Sequence, residues 1–97
     1  MYLLVAYDVS TTSPEGQRRL RQVARACQDY GQRVQQSVFE CKLTPADYVV
    51  LKQRLLKILD PRTDSIRFYN LGNRWQQRVE HFGKNDDYNI DGLLLVE

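Results

Sequence analysis

Among its 97 residues the chain has a single histidine, two widely spaced cysteines with no CxxC pair, and no apolar run that approaches a membrane span. Each shortage removes a class of function. A spanning helix needs about 20 consecutive apolar residues, so a membrane partner is not expected. The N-terminus lacks a basic leader and meets Asp8 too early for a signal-peptide core, which predicts a cytoplasmic protein. Cys27 and Cys41 fit that compartment as small buried hydrophobes. Catalysis by a serine triad or a histidine dyad would rest on His81 alone, inside a stretch that reads as an aromatic strand, so His81 is read as structural. There is no phosphate-binding glycine loop, no zinc-ligand spacing and no nucleophile elbow. The aromatic and basic consensus by which an RNA recognition motif stacks bases is also missing.

What is present describes one globular domain, 42% hydrophobic and 27% charged. A chain this short leaves apolar surface uncovered, and oligomerisation is a natural expectation. The formal net charge of +2 conceals an asymmetry. The last twelve residues hold Asp86, Asp87, Asp91 and Glu97 with no base, leaving 14 bases against 8 acids, or +6, over residues 1–85. Ten of those bases are arginines, whose planar five-donor fork suits phosphate better than a lysine point charge does. The composition leans toward nucleic acid, with a merely solvated charged surface as the alternative.

MYLLVAYD reads as a buried strand that ends on a carboxylate, Asp8. Ser13-Pro14-Glu15 starts a helix, and the stripe Leu20, Val23, Ala24, Cys27, Tyr30 carries it from Pro14 to Tyr30, with Gly31 as its stop. Its polar face holds Arg18, Arg21, Gln22, Arg25 and Asp29, a candidate phosphate rail, while Arg19 lies at the stripe's edge. Arg33–Lys42 changes alternation near Gln36-Ser37 and splits into two strands. Thr44-Pro45-Ala46-Asp47 repeats the helix-start grammar, Tyr48, Leu51, Leu55, Ile58 and Leu59 form the stripe, and Asp60-Pro61 ends it. Ser65–Leu71 is a strand, Gly72-Asn73 a turn, and Trp75–Phe82 a returning antiparallel strand.

The first six elements match the βαββαβ ferredoxin-like order, an α+β sandwich with two helices on one sheet face. Residues 1–82 form that domain. Gly83–Asp91 is a polar linker, and Gly92–Val96 a last apolar segment too short to stand alone. It predicts a C-terminal strand that adds to a sheet edge, and a homodimer in which these strands are exchanged.

Two roles are open to Asp8. It can cap backbone amides in the loop VSTTSP that follows it. Alternatively, if a two-fold axis brings two copies together, their repulsion is relieved by a hydrated divalent cation such as Mg²⁺ or Mn²⁺, which can activate water for attack on a phosphodiester.

YDVS at the end of the first strand, the block RRLRQVARACQDYGQRVQQSVFEC, then LDPRTDSIRFYNL and RVEHFG, in order and across nearly the whole chain, resemble the small CRISPR-associated adaptation proteins known as endoribonucleases, the partners of the CRISPR integrase. The resemblance implies a ferredoxin-like homodimer in antiviral defence in which Asp8 of both subunits holds one Mg²⁺. It implies metal-dependent endonuclease action on single-stranded RNA or double-stranded DNA. As an alternative it implies a non-catalytic dimeric scaffold that binds duplex DNA between integrase dimers. Arg18, Arg19, Arg33, Ser37 and Phe39 occupy positions that the family associates with function.

Overall fold

Apolar residues on both faces of Tyr2–Asp8 send that segment to the middle of a sheet. The structure, a computed structural model, describes residues 1–74 and 77–83. Six elements follow one another: β1 (Tyr2–Asp8), α1 (Pro14–Gln28), β2 (Gly31–Gln35), β3 (Val38–Lys42), α2 (Pro45–Ile58) and β4 (Ser65–Gly72). The sheet is antiparallel in the order β2-β3-β1-β4, the ferredoxin-like arrangement expected from the element order. Val5 pairs with Phe39 on one side and Phe68 on the other.

Alternation along β1 sorts the two faces. Leu3, Val5 and Tyr7 join Phe39 and Cys41 of β3, Val23, Ala26 and Cys27 of α1, and Leu51 and Leu55 of α2 in one core. Both thiols are buried there, which pushes each up to about 12 and leaves them protonated at neutral pH. Tyr2, Leu4, Ala6 and Asp8 point to the other, open face. Among the described residues no helix is long and apolar enough to cross a membrane.

Caps fix the helix starts. The Ser13 hydroxyl accepts from Gly16 N at 3.1 Å, and Thr44 and Asp47 form a reciprocal capping box. The end of α1 differs from expectation. It stops at Gln28 with Asp29 as C-cap, and Gly31 opens β2 instead of terminating the helix in a left-handed turn. A Cβ at Gly31 would sit 2.0 Å from the carbonyl oxygen of Glu40, so the glycine is there for close strand approach.

The described part of the expected Trp75–Phe82 strand, residues 77–82, carries no strand pairing. Gly72 adopts φ +71°, Arg78 Nη1 donates to the Leu71 carbonyl at 3.2 Å, and Val79 packs against Tyr2, as Val34 and Leu71 do. The chain is thereby drawn against the open face instead of along the β4 edge. His81 accordingly sits outside any strand, half-buried, with its Nε2 3.1 Å from the Gly83 carbonyl oxygen. The expected C-terminal strand, Gly92–Val96, lies outside the described residues.

Candidate functional site

The C-terminal end of β1 is where the chain's polar chemistry converges. Pairing of β1 with β3 stops at Ala6 and Val38, while β4 continues two residues further and sets Ser65 opposite Asp8. Asp8 is therefore held by the sheet on one side only, exposed at its rim. Among the described residues its carboxylate takes no hydrogen bond and no ion pair, so its oxygens remain available to a ligand.

The loop-capping role open to Asp8 in the sequence belongs to a different carboxylate. Asp64 Oδ1 accepts from Ser10 N at 3.0 Å and from the Thr63 hydroxyl at 3.1 Å, and Oδ2 accepts from Asp60 N at 2.9 Å and Arg19 Nε at 2.8 Å. Its side chain is 0% exposed. Burial alone would raise its pKa, but Arg19, the two backbone amides and Thr63 together outweigh that and hold it at about 2.

Tyr7, immediately before Asp8, is buried and stacked on Phe39 with ring centroids 6.2 Å apart. Its hydroxyl has no hydrogen-bond partner among the described residues. Burial raises the phenol's pKa, and the nearby Arg33 charge opposes that rise. The Tyr7 amide donates to the Ser37 carbonyl at 3.0 Å, which ties the β2–β3 turn to the same end of β1.

The arginines divide by environment. Arg18, Arg21 and Arg25 are exposed and, with Gln22, Ala24 and Gln28, line a shallow groove of about 440 Å³. All six come from α1, so this is one helix flank carrying three guanidinium groups. The seven-residue step from Arg18 to Arg25 covers about 10 Å of helix axis. Arg19 is spent on Asp64, and the Arg33 guanidinium lies over the Phe39 ring, 5.3 Å from its centroid. Phe39 is 0% exposed and belongs to the core.

Sequence reasoning missed two contributors. Asp64 is one; Arg67 is the other. Arg67 faces Ala6 across the β1–β4 ladder, diagonal to Asp8 on the open face, and donates to the Tyr69 hydroxyl at 3.3 Å. The alternation of Ile66 and Phe68 against Arg67 and Tyr69 was the signal for that orientation.

The donor set suits a hard, hydrated cation. Mg²⁺ typically binds one or two carboxylates and keeps several waters. Asp8 could supply one such ligand per chain, and among the described residues no cluster of three or more His, Cys, Asp or Glu side chains offers a closed cage.

Comparison with known proteins identifies relatives of the chain. The family model described as CRISPR associated protein Cas2 matches residues 1–79. A protein of Chlorobaculum tepidum named CRISPR-associated endoribonuclease Cas2 is 53% identical, covering 99% of this chain and 100% of its own. One of Rhodospirillum rubrum, named CRISPR-associated endoribonuclease Cas2 3, is 56% identical over 97% of this chain and 99% of its own. Among solved structures, Streptococcus pyogenes Cas2 is 61% identical with a TM-score of 0.75, covering 86% of this chain and 100% of that one. The sheet order agrees with these matches, and the chain belongs to the CRISPR-associated Cas2 family.

Proposed function

We propose that the protein is a metal-dependent endoribonuclease of CRISPR adaptation, able also to act on duplex DNA, that works as a homodimer with Asp8 of each subunit at one shared Mg²⁺. The observation that carries this reading is the Asp8 carboxylate itself, exposed at a strand end and unpartnered among the described residues, in a chain whose relatives are named endoribonucleases. When bound, Mg²⁺ (or Mn²⁺ in its place) supplies charge neutralisation at the phosphate and a water of lowered pKa. The chain's own residues do the rest. Asp8 holds a hard-cation ligand at the open rim of the sheet. Arg18, Arg21 and Arg25 offer sequence-independent phosphate contacts along α1, and Arg33 adds a cation on the β2 side of the same sheet end. The integrase is the partner for spacer acquisition, and the cytoplasm, where foreign nucleic acid is met, is the compartment. A purely scaffolding role is not favoured by the relatives' names.

The test is a matched comparison of wild-type protein and Asp8→Asn on labelled single-stranded RNA and duplex DNA, with Mg²⁺, Mn²⁺ or a chelator. Cleavage that requires metal and disappears in a folded Asp8→Asn protein is expected. Cleavage retained by that variant would sink the assignment.

A further inference from the structure

A carboxylate whose side chain is 0% exposed, as that of Asp64 is, normally costs stability unless every lone pair is satisfied. Asp64 meets that condition by drawing donors from three separate segments: Ser10 in the β1–α1 loop, Arg19 in α1, and Asp60 and Thr63 in the α2–β4 loop. These segments are distant in sequence, Ser10 and Asp64 lying 54 positions apart and Arg19 and Asp64 45. They are adjacent around one point. Ser10 follows Asp8 by two residues, and Ser65, next to Asp64, is the register partner of Asp8. The Asp64 carboxylate therefore grips the chain on both sides of Asp8.

The loop is braced from beneath as well. A Cβ at Gly16 would stand 1.9 Å from the Ser10 carbonyl oxygen, so the first turn of α1 is pressed against the residue that Asp64 holds. The Arg19 Nη2 adds longer contacts, 3.5 Å to Asp64 Oδ1 and 3.4 Å to the Thr63 hydroxyl. Oδ1 and Oδ2 of Asp64 both accept from N–H groups. An amide in its place would turn its NH₂ toward a donor in either orientation.

From this we infer that Asp64, through its ion pair with Arg19 and its bond to Ser10 N, is a positioning residue that fixes the Asp8 carboxylate in the place from which it binds a divalent cation. This rests on the proposed role of Asp8. Asp64 itself touches neither metal nor substrate. It orients the ligand-bearing strand end, as outer-shell partners orient metal ligands elsewhere, where their loss typically costs about 10- to 100-fold in metal affinity.

Mn²⁺ binding tests this without reference to cleavage. Full-length wild type, Asp8→Asn, Asp64→Asn and Arg19→Gln are titrated with Mn²⁺ and followed by electron paramagnetic resonance, with circular dichroism as the check on folding. Arg19→Gln is the decisive variant. It keeps the Ser10, Asp60 and Thr63 bonds to Asp64, and removing a positive charge would by itself tighten cation binding. Weaker binding therefore reports lost positioning. About tenfold weaker Mn²⁺ binding by folded Arg19→Gln, matched or exceeded by Asp64→Asn, is expected. Faster amide exchange at Val9 to Thr12 should accompany it. Wild-type affinity in folded Arg19→Gln, with Asp8→Asn unable to bind, overturns the positioning role alone. Wild-type affinity in Asp8→Asn overturns the metal reading and this inference with it. If Asp64→Asn fails to fold, Arg19→Gln alone decides.

Discussion

Asp64 is a residue whose titration is visible as stability. Its folded-state pKa of about 2 lies below the ordinary aspartate value of 3.8. The folded protein therefore gives up this proton more readily than the unfolded chain does. The resulting stabilisation is fully present above pH 4 and is lost as pH falls from 4 to 2. Screening by the water around these thin loops limits it to about 1 kcal/mol. Urea melts of wild type and Asp64→Asn should differ most at pH 6 and converge only below pH 2. A gap that stays constant across that range would show that the carboxylate's charge contributes nothing. Tyr7 shows the opposite economy at residue scale: its hydroxyl is buried with no partner among the described residues, and the stacked contact with Phe39 holds the ring in place.

At the scale of elements, α1 serves two surfaces at once. Its inner stripe of Val23, Ala26 and Cys27 fills the core, and its outer flank presents Arg18, Arg21 and Arg25. If that flank reads phosphate, Arg21→Ala should weaken binding to duplex DNA and to single-stranded RNA alike, and should reduce the slope of log affinity against log salt by about 1. Fluorescence anisotropy across a salt series checks this, and an unchanged slope would remove the flank from the interface. This division of α1 was legible in the sequence because a 3.6-residue period is local. The turn at Gln36-Ser37 and both helix starts were legible for the same reason, since alternation and cap grammar are written within a few residues. Gly31 was not, because its carbonyl neighbour belongs to Glu40 on another strand. The strand expected at Trp75–Phe82 failed for a related reason. Alternating residues fit a strand or a segment packed over a face, and the choice was made by Gly72, Arg78 and Val79 meeting Leu71 and Tyr2. Asp64 lay in plain view in LDPRTD, but its partners Ser10 and Arg19 are brought to it only by the fold.

At the scale of the whole molecule, two features of the described residues leave the single chain incomplete. One is the edge of β4, an eight-residue strand paired on one side only, with Tyr69 on its open face 44% exposed. Long unpaired edges invite a further strand. The other is the candidate site, where Asp8 is a lone carboxylate and a shared cation would need a second. The apolar segment Gly92–Val96 answers the first need if it adds to a sheet edge of a second subunit, and the two-fold that results answers the second by doubling Asp8. These needs make one joint prediction. Wild type should run in size-exclusion chromatography with light scattering at twice the mass of the chain and bind one Mn²⁺ per two chains. Leu94→Asp places a charge in the segment that must pair, while leaving the ferredoxin-like core untouched. It should shift the protein toward monomer and weaken Mn²⁺ binding together. A variant that stays dimeric would show that the subunits associate without this segment. A monomer that still binds Mn²⁺ at wild-type affinity would show that Asp8 needs no second copy, because a ligand pair built across an axis cannot outlast the axis.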